Sequence, residues 1–407
     1  MTDSGTTGRS PAPAPPAPEV AVPPDASRAP RRVAALDVLR GVAILGTLGT
    51  NIWLFTTPGG PAAWFAGGLA PPDGAATWLF ALTNGKFLAL LTLLFGIGME
   101  LQYRSAVRRG LRWPGRYLLR ALVLLVEGLV HYVLVFEFDV LMGYAVASML
   151  VAFLIGRSET VVRSWMWVLG GVYTLILLGL TALTVVASTS TPEQGPADVT
   201  ASTASWPGQV LARLTDIALY RVELLLVVPS SVVLFLIGSR LVRAGALAGT
   251  DRGSRLRRRL VLAGLGVGVP LNALTTWAGP DCALVDRYLV PPLVALGALA
   301  LGTTLVTGAR RSPGLLRRGI EAVGRTALSC YVLQNVIASW LCYDWGLGLA
   351  GTDPWRAVLM WAGISLVLMA AAPLWLRRWP RGPIELVVHR VVGGAAERAG
   401  SRPPRAA

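Results

Sequence analysis

Residues 78–98 read WLFALTNGKFLALLTLLFGIG. A run of roughly 20 apolar residues, rising ~1.5 Å per residue as a helix, spans the ~30 Å hydrocarbon core of a bilayer. Inside it sits Lys86, the chain's only lysine. An ammonium at bilayer depth costs about 2.5–3.5 kcal/mol on insertion scales and demands a partner. The stretch therefore sets the fold class, a helix bundle in lipid, and opens the search for buried polar chemistry.

Composition supports the same reading along the whole chain. Hydrophobic residues make up 54%, charged residues 14%, and mean hydropathy is +0.57, which places the chain outside the soluble class. A closed barrel is the other backbone solution in lipid, but its ~10-residue alternating strands are not found in the sequence. The net charge of +15 comes from arginines at the ends of apolar runs. That is the positive-inside pattern rather than a nucleic-acid surface.

About ten helices are expected, near 36–55, 77–99, 117–136, 139–156, 165–187, 222–242, 258–278, 288–307, 323–345 and 356–376. Arginines crowd alternate connections: Arg104 to Arg116, Arg157 and Arg163, Arg240 to Arg259, Arg310 to Arg318, and Arg377 to Arg381. The 56–76 and 346–355 loops carry neither Lys nor Arg. This alternation predicts both termini in the cytoplasm, in a multi-pass protein of the cell membrane. Residues 1–32, rich in Pro and Ala, are expected to be a disordered tail, as are 396–407. Residues 33–187 and 222–395 form two five-helix regions. The 188–221 loop between them faces outward, with an interfacial helix expected at 208–220.

The candidate site residues are the polar groups inside apolar segments. Asp37 and Arg40, three apart, share a helix face near the cytoplasmic edge, either as a cap with a snorkelling arginine or as an ion pair lining access for an anionic ligand. Asn51 lies about three turns outward. Glu127 and His131, four apart, share another face, with Asp139 just beyond. A carboxylate beside an imidazole can orient it as a general base, or the group can tie helices together. Lys86 is expected to pair with Glu127, or failing that with Asp139. Tyr331, Gln334 and Asn335 share one helix and could line the same cavity or act as interhelical hydrogen bonds. Cys282, Cys330 and Cys342 show no metal or redox spacing. No metal site and no bound cofactor are expected, and no nucleotide-binding or metalloprotease motif occurs.

Several segments carry a resemblance. DVLRGVAILG (37–46), NGKFLALLTLLFGIGME (84–100), GLVHYVLVFEFDVLMGYAV (128–146), VGRTALSCYVLQNVI (323–337), WGLGL (345–349) and RGPIELVVHRVV (381–392) are similar to the YeiB-like bacterial membrane proteins. The last three resemble that family's C-terminal domain of unknown function 418. Phe138-Asp139 stands where the family usually has Gly-Asp. The N-terminal region is similar to a wider superfamily of transmembrane acyltransferases, including heparan-glucosaminide acetyltransferases. That resemblance implies transfer of an acyl group from cytoplasmic acyl-CoA to a small acceptor. It implies a histidine at the centre of the transfer, here His131; on that reading His131 is the base, Asp139 or Glu127 orients it, and Asn51, Lys86 and Gln334 line the acceptor pocket or stabilise an oxyanion. A proton-coupled transporter using Lys86, Glu127 and His131 is the alternative, and a non-catalytic accessory protein is the third.

Overall fold

The structure, a computed structural model, describes residues 28–66, 74–190, 204–309, 312–351 and 353–400. Of the expected tails 1–32 and 396–407, residues 1–27 and 401–407 lie outside them, as does 191–203 of the long loop, while 28–32 and 396–400 are helical rather than disordered, each continuing a neighbouring helix. Among the described residues the chain is helical, with no strand.

The first long helix, α1 (Arg28–Thr56), begins before the boundary expected for it. A short α2 (Gly60–Ala66) follows. The segment expected as one helix over 77–99 is two, α3 (Ala75–Thr83) and α4 (Lys86–Arg108). The break falls at Asn84-Gly85, where Gly85 has φ +71°. Its Cβ position would collide with the backbone carbonyl of Arg287, so glycine is required both for the left-handed turn and for the close approach. Then come α5 (Gly115–Leu134), α6 (Leu141–Leu154) and α7 (Glu159–Ser190). The interfacial helix expected at 208–220 is a pair, α8 (Trp206–Thr215) and α9 (Ile217–Arg221).

The second half holds α10 (Leu224–Arg243), α11 (Asp251–Trp277) and α12 (Pro291–Gly308). A π-helical turn at 285–289 leads into α12. The helix expected at 323–345 is also broken. It consists of α13 (Leu315–Arg325) and α14 (Ala327–Cys342), with Thr326 between them. The chain ends in α15 (Pro354–Leu376) and α16 (Pro383–Gly400).

Eight helices or helix pairs among the described residues are long and apolar enough to cross a membrane, and α6 and α14 are shorter apolar helices. The protein is thus a polytopic helical membrane bundle. At its centre α1 packs on α4, α12, α13, α14 and α15, and its apolar face is buried from Ala35 to Phe55. Helix α4 also crosses α10 closely. A Cβ on Gly96 would strike the Phe235 backbone, and one on Gly238 the Leu93 carbonyl. Small residues allow such backbone contact where lipid supplies no hydrophobic drive between helices. By contrast, α7 shows lipid a face of Trp167, Val168, Leu175 and Leu183.

Candidate functional site

A cavity of about 470 Å³ opens at the arginine-bearing end of the bundle. Seven helices contribute to its walls and rim. Tyr117, Arg120, Leu124 and Glu127 from α5, and Leu91, Leu94 and Gly98 from α4, recur every three or four residues and so share a face. Arg40 comes from α1, Arg325 from the end of α13, Tyr144 from α6, and Tyr331 from α14. Arg381 and, from α16, Glu385 and His389 close the rim. His389 is exposed at this rim.

The break at Thr326 shapes one wall. It frees the first backbone N–H groups of α14, a standing requirement of any helix start. The Glu385 carboxylate accepts from Leu328 N at 2.8 Å and Ser329 N at 3.3 Å, and it also accepts from Ser329 Oγ. The C-terminal helix therefore fixes the helix that carries Tyr331 and Asn335.

Arg40 pairs with Asp37 at 2.9 Å, as their spacing predicts. Arg120 donates to Gln102 Oε1 at 3.0 Å. Farther in, Glu127 lines the cavity, and neither of its carboxylate oxygens has a hydrogen-bond partner. A carboxylate left without partners in the wall of a cavity keeps its whole hydrogen-bonding capacity unspent.

His131 is buried and does not line the cavity. Its Nδ1 lies 2.9 Å from Asp139 Oδ1, and its Nε2 lies 3.3 Å from Asn335 Nδ2. Asn335 Oδ1 in turn accepts from Asn51 Nδ2 at 3.3 Å. With an amide N–H directed at Nε2, the network assigns the ring proton to Nδ1, donated to Asp139. Asp139 Oδ2 accepts from Met142 N at 3.2 Å, capping the first turn of α6. Tyr331 joins the two parts: it lines the cavity, its hydroxyl lies 3.4 Å from Asp139 Oδ1, and its ring centroid is 5.3 Å from that of His131. Of the two carboxylates expected to orient His131, Asp139 does so and Glu127 does not.

The expected Lys86–Glu127 pair is not formed, nor is Lys86–Asp139. Helix breakage explains why. The turn at Asn84-Gly85 exposes carbonyl oxygens, and Lys86 Nζ donates to Ala81 O and Asn84 O. Around it lies a second buried network that the sequence reading missed. Asp286 Oδ1 accepts from Asn272 Nδ2 at 2.6 Å and Thr275 Oγ1 at 2.8 Å, and Oδ2 accepts from Asn84 Nδ2 at 3.0 Å. Arg287 donates to Asn84 Oδ1 at 3.0 Å and lies 3.7 Å from Glu223. Tyr288 Oη donates to Glu223 Oε1 at 2.6 Å. Asp286, Arg287 and Glu223 fall at span ends in the sequence, and only the breaks fold them inward.

Arg213 was also missed. It is wholly buried, pairs with Glu137 at 3.0 Å, and donates to the Val133 and Val135 carbonyls at 3.2 and 3.1 Å. It thereby satisfies the orphan carbonyls at the end of α5, just past His131. Gln209, one turn before Arg213, accepts from Trp345 Nε1 at 3.0 Å, which ties the 345–349 segment to the same clamp. Gln334, expected at the acceptor, is buried, and its amide has no hydrogen-bond partner in either direction. Cys330 and Cys342 are buried free thiols. No cluster of three or more His, Cys, Asp or Glu among the described residues could hold a metal ion.

Comparison with known proteins places this geometry in a family. The family described as "Protein of unknown function (DUF418)" matches residues 241–395. The protein from Bacillus subtilis (strain 168) described as "Uncharacterized protein YxaH" is 27% identical over 387 residues, covering 87% of this chain and 92% of the relative. "Uncharacterized protein YeiB" from Escherichia coli (strain K12) is 30% identical over 405 residues, covering 92% of this chain and all of that protein. With end-to-end similarity at that level, this chain belongs to the YeiB family.

Proposed function

We propose that this protein is an enzyme of the bacterial cytoplasmic membrane that moves an acyl group from a thioester donor, such as acyl-CoA, to a small acceptor. The observation that carries the reading is the unpartnered Glu127 carboxylate inside a cavity whose mouth is lined by arginines. The positive-inside rule puts that mouth on the cytoplasmic side, where thioester donors are found.

In the proposed step the acceptor's O–H or N–H gives its proton to Glu127. The freed oxygen or nitrogen attacks the thioester carbonyl and forms the new acyl bond. The C–S bond breaks, and the thiolate leaves with the proton held by Glu127. A positioned general base of this kind supplies roughly 10²–10⁴ in rate. Because His131 lies behind Tyr331, its role is to hold Tyr331 and Asp139 in place rather than to meet the substrate.

The test uses purified full-length protein, radiolabelled acetyl-CoA and a panel of small alcohols and amines. Acceptor-dependent release of free thiol is the expected result, and its absence with every acceptor would defeat the reading. Ten spans with both termini cytoplasmic require α6 and α14 to cross as well. In a Cys282→Ala background, Arg109→Cys should then react with a membrane-impermeant thiol reagent only after lysis, and Leu347→Cys in intact cells. The reverse pattern would invert the cavity and remove its cytoplasmic donor.

A transporter is the second reading, favoured by the breaks at Asn84-Gly85 and Thr326. Discontinuous helices build many substrate sites in secondary transporters. Solute accumulation by proteoliposomes without thiol release would select it.

A further inference from the structure

We infer that the cavity is the site of an amphipathic anion whose far end carries a hydrogen-bond donor, an amine or a hydroxyl. The mouth argues for the anion. Arg40, Arg120, Arg325 and Arg381 gather there, and among the described residues only Arg40 of the four is ion-paired. Guanidinium groups suit carboxylates and phosphates because they present paired donors.

The inner end argues for the donor. When ionised, the Glu127 carboxylate only accepts hydrogen bonds, and neither of its oxygens has a partner. A thioester carbonyl is itself an acceptor and cannot satisfy that form. An ammonium or hydroxyl can, and would recover part of what the buried, unpaired carboxylate costs. Between the two ends the walls are apolar: Leu91, Leu94, Phe95 and Leu124. Glu127 follows Arg120 by seven positions on one helix, so about 10 Å separates the anion site from the donor site along its axis.

This deepens the proposed transfer by giving the chemical class of the acceptor: its nucleophile is the donor group at Glu127, and its acidic group stays at the mouth. Only the word acceptor rests on that reading. The binding itself rests on the cavity.

Three probes of matched length separate the features: 8-aminooctanoate, octanoate and octylamine. Each is titrated calorimetrically into full-length protein in zwitterionic-lipid nanodiscs. 8-Aminooctanoate should bind about tenfold more tightly than octanoate, the scale of one charge-assisted hydrogen bond. Glu127→Gln should close that gap, and Arg325→Gln should weaken both anions alike while leaving octylamine unchanged. Equal binding of the two anions to the unaltered protein would overturn the proposal, and that comparison needs no variant to fold. So would a gap that survives Glu127→Gln, or binding by octylamine alone. A preference for 8-aminooctanoate without any acyl transfer would remove the enzymatic reading and keep this one. Transfer without the preference would do the reverse.

Discussion

Asp286 and Glu127 are both carboxylates set among membrane helices, and they are treated oppositely. Asp286 accepts from Asn84, Asn272 and Thr275 and has Lys86 and Arg287 nearby. Glu127 accepts from nothing and belongs to the wall of the cavity. Where every acceptor site is filled, the network ties α3, α4, α11 and the start of α12 into one body. Where none is filled, the carboxylate ties no helices together. Buried charge alone therefore does not mark a working site in this bundle. Unused hydrogen-bonding capacity beside a cavity is the feature on which the proposed site rests.

The sharpest way to break this contrast is Glu127→Gln. If Glu127 is the base, transfer should fall roughly 10²–10⁴-fold while thermal stability stays level or rises, since an unpaired carboxylate is replaced by a neutral amide. A stability loss with transfer intact would make Glu127 a tie like Asp286. The converse experiment is Arg287→Ala, which leaves Glu223 without its guanidinium. Breaking a buried pair from one side costs about 3–5 kcal/mol, so a large drop in melting temperature is expected, together with loss of all activity in the unfolded fraction. A silent Arg287→Ala would show that the filled network is not holding the break at Asn84-Gly85.

His131→Ala should fall between the two. It strips Asp139 of its charge-assisted donor, at about 1–3 kcal/mol, and it lowers transfer through Tyr331 rather than abolishing it. Abolition of transfer at full stability would restore His131 as the base. Tyr331→Phe is expected to be the mildest. It removes one long hydrogen bond to Asp139, worth about 1 kcal/mol or less, and leaves Asp139 held by His131 and Met142 N. Chemical denaturation followed by tryptophan fluorescence would rank these variants.

Much of the bundle is legible in the sequence because lipid restricts the backbone so severely. A run long enough to cross must be helical, and arginine at alternate ends orients the runs. Positions fixed by helical periodicity are equally readable. Asp37–Arg40 forms at its expected spacing, and Tyr331 and Asn335 share a face toward the same network. The misreadings all arise where periodicity stops. Lys86 was given the wrong partner because its helix breaks two residues earlier and offers backbone carbonyls instead. Asp286, Arg287 and Arg213 look like ordinary charges beside a span. The signal that could have raised Arg213 is its isolation in a long connection with few basic residues, between Gln209 and Asp216.

The sequence by itself determined that this chain is a helical membrane bundle, with His131, Glu127 and Asp139 inside it, because hydrophobic length and helical spacing are local properties. The tertiary structure alone decided which of them is available. Glu127 and His131 are one helical turn apart on α5, and spacing treats them as equals. What separates them is contributed from afar: Asn335 and Tyr331 from α14 and Asp139 ahead of α6 surround the imidazole, while no hydrogen-bond donor reaches the carboxylate. Hydrogen-bond saturation depends on partners hundreds of residues away in sequence, so it belongs to the packed bundle and not to any segment of it.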